Sequence, residues 1–127
     1  MTRDARDQAR RQLAAVPNDA TAPWAQARCL EQDAALVGRL LTAAAGQQGG
    51  GRAADVTVDD VGAALSLFED MRHQLDRLES QVVIEARRRS MDWRQIAERQ
   101  GLNSAQAASQ RYQRLVTRLE EIRQGVR

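Results

Sequence analysis

Aromatic side chains are nearly missing from this chain. Of 127 residues, two are Trp, one Tyr and one Phe, 3% in all. A core of aromatic bulk is therefore excluded, and the 43% hydrophobic content must be packed from Ala, Leu and Val. Short side chains of that kind suit close helix–helix contact and an all-helical fold. Proline occurs only twice and β-branched runs are scarce, which argues against a sheet. Cysteine and histidine occur once each, as Cys29 and His73. An intramolecular disulfide is thereby excluded, and a structural zinc site lacks its ligands. Cys29 lies in an Ala/Leu-rich stretch and is expected to be a small buried or half-buried apolar residue. His73, between acidic and basic neighbours, is expected at the surface or at an interface. Lysine is absent, so all nineteen basic residues are Arg. A GC-rich genome produces the same bias, but Arg also suits bidentate phosphate and guanine contacts better than Lys.

The N-terminus, M-T-R-D-A-R-D-Q-A-R-R, is charged with no apolar run behind it. Neither a signal peptide nor a membrane span is expected, and the expected location is cytoplasmic, on the nucleoid. Gly49-Gly50-Gly51 has no Lys-Ser/Thr after it, so it is not a phosphate-binding loop. No set of His, Cys and carboxylates converges, so no catalytic residue, cofactor or metal is expected, and the chain is not read as an enzyme.

What is present is helical periodicity. The fold class expected is all-α, a helical bundle in which a long central helix leads into a C-terminal helix-turn-helix. Residues 1–45 read as an N-terminal helical pair for packing or dimerisation, 46–55 as a flexible linker, and 56–127 as a DNA-binding unit. The first helix covers 2–16 with a thin stripe of Ala5, Ala9, Leu13 and Val16. Pro17-Asn18-Asp19 ends it. The second starts at Thr21-Ala22-Pro23 and runs to about Ala45, its stripe being Leu30, Ala34, Val37, Leu41 and Ala44, with Trp24 as a packing anchor. Thr57 opens the third, which reaches about Arg89. Ala64, Phe68, Met71, Leu75, Leu78 and Val82 keep four/three spacing along it for nearly three heptads. That seam fits either a dimer or an intramolecular bundle, or each in a different part of the helix.

Charge is uneven. Residues 1–85 hold nine Arg and thirteen acids, whereas 86–118 hold eight Arg and two acids. Overall charge is +2, but the local positive charge forms the footprint expected for a polyanion. It surrounds Met91–Leu115, where Asp92 caps a helix over Trp93–Gln100, Gly101 ends it, Leu102 plugs the turn and Ser104 caps the next helix. Ile96, Ala97 and Leu102 face inward, as do Ala108, Tyr112, Leu115, Leu119 and Ile122 at four/three spacing. Trp93 is read as a core residue. In a helix-turn-helix the second helix enters the major groove. Gln106, Ser109, Gln110 and Gln113 are then the candidate base readers, because Gln pairs bidentately with adenine and Ser serves several bases. Ser104, Arg88, Arg89, Arg94, Arg111 and Arg114 are the candidate phosphate contacts. Each of these polar residues would serve equally as a solvated helix surface.

The stretch D-W-R-Q-I-A-E-R-Q-G-L-N-S-A-Q-A-A-S-Q-R-Y-Q-R-L resembles a group of small, mostly actinobacterial helix-turn-helix proteins described as transcriptional regulators. Those pair a W-x-x-[IL]-A segment with G-[VL]-x-S-R-Q-A-A-x-x-R-Y-x-R-L, and T-V-D-D-V-G-A-A-L-S-L-F-E-D-M-R-H-Q-L-D-R-L-E is similar to the long helix preceding it there. The resemblance covers about residues 57–119 and implies transcription regulation without naming an operator. Ala105 stands where that pattern has Arg, which shifts the expected base reading to Gln106, Ser109 and Gln110. Two functions follow from the residues. One is a homodimeric regulator binding double-stranded DNA, with sequence-directed or less specific chromosome-organising contacts. The other is a protein-interaction module that uses the long seam, its helix-turn-helix being structural only.

Overall fold

The computed structural model describes residues 2–17, 24–48 and 55–125, and every element among them is a helix. In order these are α1 (Arg3–Ala14), α2 (Ala25–Gln48), α3 (Val58–Arg88), α4 (Trp93–Gln100) and α5 (Ala105–Arg123). The all-α expectation holds. Side chains of residues 47 and 48 are not described, and the expected start of the second helix at Thr21-Ala22-Pro23 lies outside the described residues.

Each helix start follows from a local side chain. Thr2 caps α1, its hydroxyl accepting the Ala5 amide at 3.1 Å. Thr57 and Asp60 form a reciprocal capping box on α3, with the Asp60 amide reaching Thr57 Oγ1 at 3.1 Å and the Thr57 amide reaching Asp60 Oδ2 at 2.9 Å. Asp60 thus fills the place that Glu or Gln usually takes. At about 1.5 Å per residue, α3 is roughly 47 Å long. It ends in a left-handed residue, Ser90 at φ 66°. The Met91 amide returns to Ala86 O at 3.0 Å and the Ser90 amide to Arg87 O at 3.1 Å, the paired bonds of a Schellman ending.

α2 folds back antiparallel along α3, and α4 and α5 pack on each other and on the C-terminal half of α3. The core proper is small. Val83, Ile96, Ala97 and Ala108 form its buried cluster, with Ala86, Met91, Trp93, Leu102 and Tyr112 packed around them. Met71 and Leu115 are also buried. Ile96 and Leu115 each contribute about 2–3 kcal/mol by leaving water.

Several expectations need correction. The linker does not begin at 46, because α2 continues through Gly46 to Gln48, and residues 49–54 lie outside the described set. The N-terminal helices are not a pair, since α2 pairs with α3 while almost every residue of α1 is exposed. Cys29 is exposed rather than buried or half-buried. Trp24 is 54% exposed, so it borders the cleft between α3 and α5 rather than anchoring it. The expectation for His73, a surface or interface position, needs no correction: it is half-buried, with its Nδ1 enclosed and without a hydrogen-bond partner.

The seams divide by register. On α3, Ala64, Met71 and Leu78 turn into the hairpin, whereas Phe68, Leu75 and Val82 are exposed. On α2, Leu30, Val37 and Ala44 turn inward, whereas Ala34 and Leu41 are exposed. The inward row of α2 is completed by Gln26, Asp33 and Leu40, a polar-interrupted stripe that hydrophobic periodicity does not reveal.

Candidate nucleic-acid interface

The turn between α4 and α5 is built by three adjacent devices. Asp92 Oδ1 accepts the Gln95 amide at 2.8 Å while Gln95 Oε1 accepts the Asp92 amide at 2.9 Å, a capping box that fixes where α4 starts. Gly101 ends α4 at φ 74°, a conformation that costs glycine little. The Leu102 amide then reaches Ala97 O at 2.8 Å and the Gly101 amide reaches Glu98 O at 3.3 Å, a second Schellman ending. Leu102 packs on the buried cluster, as a residue following such an ending commonly does. Ser104 Oγ accepts the Ala107 amide at 3.1 Å and starts α5. Four residues thus separate two capped helices, which lock together through Ile96, Ala97 and Ala108, the last only 1% exposed. Trp93 clamps both sides of this junction. Its ring lies 5.8 Å from that of Tyr112 on α5, and the Arg87 guanidinium of α3 stacks 5.2 Å from its centroid.

This packing orients α5. Ala108 and Leu115 point inward and are buried, with Tyr112, Leu119 and Ile122 half-buried along the same row. Gln106, Gln110, Gln113 and Arg114 lie on the opposite side and are exposed, and Thr117 continues that face. No acid occurs between Ser104 and Leu119. Ser109 is half-buried beside the inward row, so it is less accessible than the three glutamines. Ala105 is half-buried as well.

The arginines fall into three groups. Arg94 and Arg114 are exposed and, among the described residues, pair with no acid; Arg99 behaves likewise. Arg88 and Arg89 share Glu85, at 3.4 and 3.0 Å, in exposed pairs on one helix. Pairs of that kind are worth little and are easily exchanged for a phosphate. Arg111 is different. Its Nε and Nη2 reach both oxygens of Glu79 on α3, at 2.5 and 2.8 Å. Gln100 Nε2 adds a bond to the same carboxylate at 3.3 Å. The hydrogen bond to Glu79, ahead of a smaller opposing effect of burial, pushes the Arg111 guanidinium above its ordinary value. Two turns further along α5, Arg118 pairs with Asp76 at 2.6 Å. Glu79 and Asp76 therefore bolt α5 to the long helix. Neither was legible as a partner, since Arg111 and Glu79 stand 32 residues apart and no local pattern links them.

Among the described residues no group of three His, Cys, Asp or Glu is placed to hold a metal, and no helix is long and apolar enough to cross a membrane. The chain matches no family model, no curated protein and no solved structure.

Proposed function

We propose that α4 and α5 act as a helix-turn-helix that binds double-stranded DNA, with the first half of α5 in the major groove, in a homodimeric transcriptional regulator. The observation that carries this reading is the outward face of α5. Gln106, Gln110, Gln113 and Arg114 are exposed together on a helix whose opposite row is buried, and no acid interrupts them. Glutamine side chains offer a donor and an acceptor to a base edge. Arg94, Arg88, Arg89 and Arg114 are the candidate phosphate contacts that need least rearrangement. The first amides of α5, beyond the one taken by Ser104, add donors that favour an anion. Arg111 joins them only by leaving Glu79. Gln106 and Gln110 are the residues of choice for base reading, with Ser109 and Gln113 beside them.

Titration of a labelled duplex at several salt concentrations tests this. Four phosphate contacts per protomer predict that log affinity falls linearly with log salt with a slope of roughly −3 to −4 per protomer. Arg114→Ala is expected to lower affinity on all sequences alike, whereas Gln106→Ala is expected to narrow the gap between preferred and random duplexes. Absence of duplex binding at low salt, or affinity unchanged by both substitutions, refutes the reading. In that event the exposed residues of the α3 seam favour a protein-interaction module in which the C-terminal helices are structural only.

A further inference from the structure

α1 stands over a cleft that it does not fill. Ala9, Gln12 and Leu13 line one wall. Val82, Val83 and Ala86 of α3 line the other, together with Met91 and Ile96. Glu79, Arg99, Gln100 and Arg111 complete that second wall. The cleft encloses about 690 Å³, room for on the order of 20 waters at ~30 Å³ each. Two largely apolar walls therefore face each other across solvent, with Leu13 71% exposed and Val82 68% exposed. Draining such a space is favoured in proportion to the apolar area it covers. A polar match accompanies the apolar one. Gln100 donates from Nε2 to Glu79, while its Oε1 is enclosed without a hydrogen-bond partner. An enclosed acceptor that lacks a donor costs free energy. Gln12, on the facing wall, carries an amide with two hydrogens to donate.

We propose that α1 is a lid that closes on this cleft and, when closed, holds Arg111 away from a bound duplex. Closing lays Ala9 and Leu13 on Val82 and Ile96 and brings the Gln12 amide to Gln100 Oε1. The occupant is the chain's own helix because α1 already lies along the cleft with these residues turned into it, and it buries nothing elsewhere. The lid is poised rather than shut for an electrostatic reason. α1 carries four Arg and two Asp. Arg99 and Arg111 stand on the facing wall, so like charge opposes closure. The link to DNA rests on the helix-turn-helix reading. Arg111 and Glu79 form an ion pair on the cleft wall. A duplex that draws Arg111 to a phosphate leaves the Glu79 carboxylate alone. A closed lid would then bury that carboxylate without its partner, which is strongly unfavourable. Lid closure and phosphate contact by Arg111 thus exclude each other, and by linkage each weakens the other to the same degree.

The test places cysteines on the two walls of the full chain, with Cys29→Ser so that no other thiol competes. L13C with V82C is expected to form a disulfide within one chain, read as the single-chain mass on a non-reducing gel. R11C with V82C is the control, since Arg11 lies on the far side of α1 from Leu13. All three positions are exposed, so the variants are expected to fold like the parent chain. The lid pair is expected to oxidise at least about tenfold faster than the control, through its higher effective concentration. Equal rates, or disulfides that mainly link two chains, overturn the lid. Once oxidised, the lid pair is expected to bind a labelled duplex about fivefold more weakly than the same protein reduced, roughly the worth of one exposed ion pair. Glu79→Gln in that background is expected to abolish the difference. Duplex affinity that is the same in both redox states overturns the hold on Arg111. Fast oxidation with no duplex binding in either state refutes the helix-turn-helix reading and leaves the lid in place.

Discussion

Single residues decide how the C-terminal helices meet the long one. Ser90 takes the left-handed conformation that a Schellman ending requires, at φ 66°, where a side chain is strained. Ser90→Gly is expected to raise stability by about 0.5–1 kcal/mol in urea unfolding. A decrease would show that the serine side chain makes up for its strain. Glu79 holds Arg111 by two hydrogen bonds, which in the proposed DNA complex would keep that guanidinium from a phosphate. Glu79→Gln is expected to release the guanidinium and raise duplex affinity about fivefold, roughly the worth of one exposed ion pair. The same substitution is expected to cost the free protein less than about 1 kcal/mol, because the Arg111 side chain is 44% exposed. An unchanged affinity would place Arg111 outside the contact.

At the scale of elements, what was legible was what is local. Asp92, Ser104 and Thr57 announce helix starts because a cap needs only a short polar side chain three residues before its amide partner. Gly101 announces a helix end for a similar reason, and α4 occupies the expected residues. The inward row Ala108, Tyr112, Leu115, Leu119 and Ile122 was readable because helical spacing is a property of one segment. The end of α2 was not, since Gly46 suggests a stop but the helix passes through it. Nor was the fate of Leu41, Leu75 and Val82, because spacing marks a residue as seam without saying which surface covers it. The placement of Glu79 was also hidden, being a contact between elements distant in sequence. α1 illustrates a further limit. It is capped and regular, yet it buries nothing, and Leu13 is 71% exposed. Deleting residues 1–17 is therefore expected to change unfolding free energy by less than about 1 kcal/mol, measured by urea titration. A larger loss would show that α1 docks firmly on the groove it lines, through Ala9, Gln12 and Leu13, with Val82, Val83 and Ile96.

For the whole molecule, the notable quantity is how little is buried. Six hydrophobic residues form the core among the described residues, against twelve large ones left exposed. In the proposed homodimer, association would add stability to so lightly cored a chain, and its melting temperature is then expected to rise with protein concentration. Scanning calorimetry over a range of concentrations checks this, and a constant midpoint would favour a self-sufficient monomer. The Glu79–Arg111 pair has a further consequence at this scale. An exposed arginine that meets a phosphate frees a condensed cation from the duplex, and that release produces the salt dependence of binding. Arg111 would instead exchange one anion for another, and the abandoned Glu79 carboxylate is left to gather a cation of its own. In the proposed complex the slope of affinity against salt would count fewer phosphates than the protein touches, and comparison with Glu79→Gln, where the slope is expected to steepen by up to about one, would count the hidden one.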